Sequence, residues 1–171
     1  MIKRQVKAKI ATTERYNPKL TSWQKIKKSI LKIEADAFPQ YEAKEEVLAK
    51  DFTNKNNIVI LLRSSRNSII GYAYAEPIGQ AFPRRKKETD TAYVTSVAIA
   101  PRFQGKGLVG YIHKSLNRTL KRKGYSFFEG EIVNETYART LTKVYADRLV
   151  KKRRFINSDD EVTHFMRIRL D

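Results

Sequence analysis

The residues best suited to chemistry lie where a strand runs into a helix. Ala92-Tyr93-Val94-Thr95-Ser96-Val97-Ala98-Ile99 reads as a strand stopped by Pro101, and Arg102-Phe103-Gln104-Gly105-Lys106-Gly107-Leu108 follows at once. Glycines at such a junction let the backbone turn tightly and come close to a ligand. The first turn of the following helix leaves N–H groups without partners and carries partial positive charge. Together these features make an anion site suited to a diphosphate, and Arg102 and Lys106 add full charges. A plain strand-to-helix turn would use the same glycines. The spacing excludes a P-loop, which needs Gly-Lys-Ser/Thr. It also excludes the dinucleotide fingerprint, since the third glycine is misplaced and no parallel βαβ repeat surrounds it.

Other chemistries are removed by composition. The chain has no cysteine, so thiol nucleophiles, disulfides and cysteine-ligated metals are out. Its two histidines, His113 and His164, are too few for a catalytic metal site, and none is expected. His113 falls one residue off a helical apolar stripe and is expected to be half-exposed. His164 alternates with Val162 and Met166 and is expected to face the core.

The elements that would hold the loop follow from periodicity. Val6, Ala8 and Ile10 alternate as a strand does. Leu20, Trp23, Ile26, Ile30, Ile33 and Ala37 form an amphipathic helix that Thr21 or Ser22 could cap and Pro39 ends. A shorter helix with Tyr41, Val47, Leu48 and Phe52 follows. Ile58 to Leu62 is a continuous apolar strand, and Ile69 to Ala75 returns after a turn at 64–67. Residues 77–90 read as a loop. Leu108, Ile112, Leu116 and Leu120 mark a helix closed by Gly124. Tyr125 to Val133 is a strand, Asn134 caps a further helix, and Val162 to Leu170 is the last strand. The order β-α-α-β-β-β-α-β-α-β implies an α+β domain with a mixed sheet and helices packed on it. Residues 1–171 are expected to form one domain, without repeats or a linker.

The stretch from Val97 to Leu108 closely resembles motif A of the GNAT superfamily of N-acetyltransferases, with Arg102, Gly105 and Gly107 matching in order, and the element order agrees over nearly the whole chain. The resemblance implies a central, mostly antiparallel twisted sheet of six to seven strands flanked by about four helices, holding acetyl-CoA in a V-shaped opening. It implies that Val97, Ala98 and Ile99 pair with the pantetheine arm. The amides of Gln104, Gly105, Lys106, Gly107, Leu108 and Val109 would hold the pyrophosphate, and Asn134 would contact the pantetheine. The family often has a tyrosine seven residues after that asparagine, where this chain has Leu141. Tyr145 lies one turn later and Tyr137 one turn earlier. Acetyl transfer to an amine needs a base, because a lysine-like amine has a pKa of ~10.4, and it benefits from a proton donor for the departing thiolate. Glu129 and Glu131, on one side of their strand, and Glu76 are the candidate bases. Tyr145 is the expected acid.

Charge speaks to partners. Lys and Arg exceed Asp and Glu by 35 to 18, a net +17 that favours anionic partners. Only residues 33–52 reverse the sign, through Glu34, Asp36, Glu42, Glu45, Glu46 and Asp51. This segment is expected to attract a small amine or a basic peptide as acceptor. Two rival readings remain: a nucleic-acid- or ribosome-associated binder using 84–87 and 148–154, and an acyl-CoA-binding module without turnover. With no signal segment and no long apolar run, the chain is expected to be cytoplasmic, away from membranes, as a monomer or homodimer.

Overall fold

The structure is a computed structural model and describes residues 11–170. Strand β1 (Ala11–Arg15) leads into α1 (Trp23–Ala37) and α2 (Glu45–Thr53). A hairpin of β2 (Ile58–Ser64) and β3 (Ile69–Pro77) follows, then the single turn α3 (Ile78–Ala81) and β4 (Thr91–Ile99). Next come α4 (Leu108–Arg122), β5 (Phe127–Ile132), α5 (Glu135–Val144), β6 (Leu149–Ile156) and β7 (Val162–Arg169). The seven strands form one sheet in the order β1-β2-β3-β4-β5-β7-β6, antiparallel except for the β4–β5 pair. The expected α+β architecture is present.

Helices cover both faces where the sheet is most apolar. Ile58, Ile60 and Leu62 pack under α4 with Ile112, Leu116 and Leu120, while Val59 and Leu61 pack under α1 with Ile26 and Ile30. Double coverage is why β2 reads as an unbroken apolar run rather than an alternation. Each such fully buried side chain contributes about 1.5–3 kcal/mol.

Several expectations are corrected. Leu20 lies before α1 and is 81% exposed, so the stripe begins at Trp23. Ser22 is the N-cap residue of α1 but makes no side-chain capping bond. Residues 77–90 contain α3 and a 3-10 turn at Pro83–Arg85. The basic stretch 148–154, offered as a nucleic-acid contact, falls mostly in the edge strand β6, whose residues after Leu149 are all exposed and so gave no apolar period. The expected strand residues Val6, Ala8 and Ile10 lie outside the described residues; the neighbouring strand is Ala11–Arg15.

The feature that makes a site is a split in the sheet. β4 and β5 pair only from Thr91↔Phe127 to Tyr93↔Glu129. Immediately beyond, the β3–β4 register skips Thr95, with Ala75 opposite Val94 and Tyr74 opposite Ser96. A bulge there bends and twists β4, while β5 stays paired with β7 on its other edge over its whole length. The segment from Val94 to Ile99 is therefore left without a strand on its β5 side.

Candidate active site

A cleft of about 410 Å³ opens from this split. One wall is β4 at Val97, Ala98 and Ile99; the end is the glycine loop and the start of α4; the far wall is α5. Gly105 and Gly107 have φ of 72° and 73°, a left-handed conformation that other residues adopt only at a cost, and Gly107 is the N-cap of α4. A Cβ at either position would meet nothing within 4 Å, so the left-handed conformation, not crowding, calls for glycine. No side chain caps α4, which leaves its first N–H groups for an anion. Gln104 Nε2 donates to Ile99 O at 2.8 Å and ties the loop to the strand end.

Of the residues expected to hold the cofactor, Val97, Ala98, Ile99, Gln104, Gly105, Gly107, Leu108, Val109 and Asn134 line this cleft. Arg102 and Lys106 do not; their cations lie 4.9 and 5.3 Å from the ring centre of Phe103. Asn134 also caps α5, its Oδ1 accepting from Tyr137 N at 2.9 Å.

The titratable residues sort by position. Glu129 is 2% exposed and is spent on arginines: Arg85 Nη1 donates to Oε2 at 2.6 Å and Arg167 Nη1 to Oε1 at 2.7 Å. Glu76 accepts from Thr95 Oγ1 and Gln80 Nε2. Glu131 touches a smaller cavity of about 40 Å³ between Val94–Val97 and β5, and burial raises its carboxyl pKa. Tyr137 borders both that cavity and the cleft, whereas Tyr145 borders neither and is fully buried in the core. Tyr145 thus lies one layer behind the position expected of it.

Between these tyrosines lies His113, 1% exposed rather than half-exposed. Its Nε2 is 2.6 Å from Tyr137 Oη and its Nδ1 is 3.1 Å from Tyr145 Oη, while Asn117 Nδ2 donates to Tyr145 Oη at 2.7 Å. Burial lowers the His113 pKa to about 4 and raises that of Tyr145 to about 12 and that of Tyr137 well above its usual value. All three side chains are therefore neutral near pH 7. His164 is buried, as expected, with Nε2 2.6 Å from Glu135 Oε2. Sequence reading missed the burial of His113 between the two tyrosines, because an α4 register one position off the stripe does not reveal that α5 covers that side.

At the α1–α2 connection, Glu34, Tyr41 and Glu42 line a hollow of about 250 Å³, and Glu45 is paired with Lys27 at 2.9 Å. Burial raises the Glu34 pKa to about 7. Tyr41 Oη donates to Glu161 Oε2 at 2.7 Å, joining the α1–α2 connection to the β6–β7 turn.

Comparison with known proteins agrees with this architecture. The structure is similar to the ribosomal-protein-S18-alanine N-acetyltransferase from Escherichia coli, with TM-score 0.68, 15% identity and 95% of each chain covered. It is also similar to a phosphinothricin acetyltransferase from Sinorhizobium meliloti in complex with acetyl-CoA, with TM-score 0.66, 20% identity, and 94% of this chain and 89% of that one covered. Arabidopsis thaliana NAA60 in complex with a bisubstrate analogue has TM-score 0.66 at 8% identity, over 94% and 99% of the two chains. At such identities the likeness shows the fold. No curated protein matches the chain. The model of the acetyltransferase (GNAT) family matches residues 23–145, well over half of the sequence. With that match over a split sheet and its glycine loop, the chain belongs to the GNAT family of acetyltransferases.

Proposed function

We propose that the protein is an N-acetyltransferase that moves an acetyl group from acetyl-CoA to a primary amine by direct attack in a ternary complex. The observation that carries this reading is the cleft that runs from the unpaired edge of β4 to the left-handed glycines at the uncapped start of α4. The Gln104 N–H, expected to hold the pyrophosphate, is bonded to Pro101 O at 3.1 Å, so a diphosphate fits the amides of 105–109, and an extended polar arm fits the open strand edge at Val97–Ile99. Acetyl-CoA, when bound, supplies an acyl group activated as a thioester. Asn134, Thr136 and Thr140 offer polar contacts on the far wall.

The chain's own groups divide the proton work. Glu131, directly or through a water, takes a proton from the attacking amine; burial raises its carboxyl pKa and so makes it a stronger base than an exposed carboxylate. A backbone N–H of the open β4 edge hydrogen-bonds the acyl oxygen as negative charge develops there. Tyr137, which borders both cavities, gives its proton to the departing sulfur. The amine nitrogen bonds the acyl carbon, the C–S bond breaks, and the proton lost to Glu131 balances the one Tyr137 gives. Glu34 and Glu42 favour a cationic acceptor at the α1–α2 side.

A second reading, contact with an anionic polymer, has its own support. Lys151, Arg153 and Arg154 line an open groove with Phe155, Phe165 and Glu131, and among the described residues these three bases make no ion pair with an acid. The two readings combine if the amine is carried by a nucleic acid or a ribosomal component.

The test of the first reading is thermal stability with acetyl-CoA against ATP. Ligand at ~100 times its Kd contributes ~2.7 kcal/mol, which raises Tm by about 5–10 °C in a domain of this size. The expected result is a rise with acetyl-CoA beyond that with ATP, lost in Gly107→Val, followed by acetylation of amine acceptors. Equal shifts with both ligands would reject it.

A further inference from the structure

Resting on the reading of Tyr137 as the acid, we infer that Asn117, Tyr145 and His113 form a one-way hydrogen-bond chain that leaves the Tyr137 hydroxyl proton free for the cleft. The direction follows from counting protons. Asn117 Nδ2 has only protons to offer, so Tyr145 Oη accepts from it at 2.7 Å. Tyr145 is fully buried, and its other polar neighbour is His113 Nδ1. Its own proton must go there, since a buried hydroxyl proton without an acceptor costs about 1–3 kcal/mol. Nδ1 is then the acceptor nitrogen. A neutral imidazole has one proton, so it sits on Nε2 and is donated to Tyr137 Oη at 2.6 Å. The Tyr137 hydroxyl has thereby accepted from behind, and its proton is left to point away from His113. The same Nε2–H stabilises the phenolate left when that proton is given up.

The chain starts at Asn117 because of its amide orientation. With Nδ2 toward Tyr145, the orphan is one carbonyl oxygen, Oδ1. The flipped amide would instead orphan an NH₂, and buried donors without partners are rarer than acceptors. Asn117 does not border the cleft; it lines a groove between α4 and the end of α5 with Lys114, Arg118 and Lys121. Asn117, Tyr145 and His113 are thus positioning residues that act through Tyr137.

Asn117→Asp tests the inference. A carboxylate, stabilised by the three bases around it, only accepts. Tyr145 must then donate to it, His113 must carry its proton on Nδ1, and Nε2 must take the Tyr137 proton away from the cleft. The expected outcome is a kcat about tenfold or more below wild type, part of the ~10²–10⁴-fold that a positioned acid contributes, with KM for acetyl-CoA and its thermal stabilisation unchanged. Nitrogen NMR of the imidazole reads the tautomer directly: proton on Nε2 in wild type, on Nδ1 in the variant. A wild-type His113 protonated on Nδ1 would overturn the inference even if the variant failed to fold. So would a switched tautomer with unchanged kcat. Tyr137→Phe separates the two layers: unchanged kcat there removes the acid reading and the positioning role with it, whereas a loss there with no effect of Asn117→Asp removes the positioning role alone.

Discussion

Glu129 and Glu131 are two positions apart on β5 and identical in side chain, yet their surroundings give them different work. Glu129 is clamped by Arg85 and Arg167, while Glu131 faces the inner cavity. Glu129→Gln should lower Tm, because Arg85 and Arg167 lose their buried carboxylate, although Arg85 keeps Glu88 at 2.6 Å. The cost should lie toward the low end of the ~3–5 kcal/mol seen when one partner of a buried pair is removed, since both arginines are partly solvated. Its kcat should stay within a few fold of wild type. Glu131→Gln should do the reverse: Tm unchanged within about a degree, and kcat/KM reduced by about 10²-fold or more. The wild-type kcat/KM should fall as pH drops through the raised Glu131 pKa, where the base becomes protonated, and the Gln variant should lack that limb. A pH–rate profile of both proteins checks this.

At the scale of elements, one bulge and one helix start make the site. The skipped residue Thr95 ends β4–β5 pairing, and Gly107 aims the first turn of α4 at the space so opened. α1 contributes through Glu34, whose carboxyl is pushed up to about 7 by burial. A folded-state carboxyl above its unfolded value binds a proton that the unfolded chain has already released. Stability is therefore full below about pH 4.3 and is lost as pH rises toward 7. Glu34→Gln should match wild type in Tm at pH 4 and exceed it at pH 8, as measured by thermal melts across that range. A Tm gap that stays constant with pH would mean that Glu34 does not carry this linkage.

For the whole molecule, the net charge of +17 is unevenly spread. The bases of β6 are uncompensated and lie beside Phe155 and Phe165, next to Glu131. A polyanion binding there should show a Kd that rises steeply with salt. Arg153→Glu with Arg154→Glu should weaken binding of a single-stranded oligonucleotide by at least about tenfold and reduce its salt slope, while leaving the acetyl-CoA-induced rise in Tm intact. An unchanged affinity, measured by fluorescence anisotropy, would remove β6 as the contact surface.

How much was legible in the residues follows from where each signal resides. The glycine loop could be read directly, because a positive φ demands glycine and a helix start needs no tertiary partner to expose its N–H groups. The helices with one apolar face and the doubly covered β2 were equally plain, since periodicity records burial. β6 escaped because an edge strand with solvent on both sides leaves no period. The placement of Tyr137, Tyr145 and His113 was beyond periodicity altogether. It depends on how α5 crosses α4 and on how far β5 swings from β4, and these are properties of packing between elements far apart in the chain. The sequence by itself determined the sheet's helices, its glycine loop and its charge. Only the tertiary structure decided which carboxylate stands free, which tyrosine reaches the cleft and which lies behind it, because exposure is set by neighbours that no local spacing records.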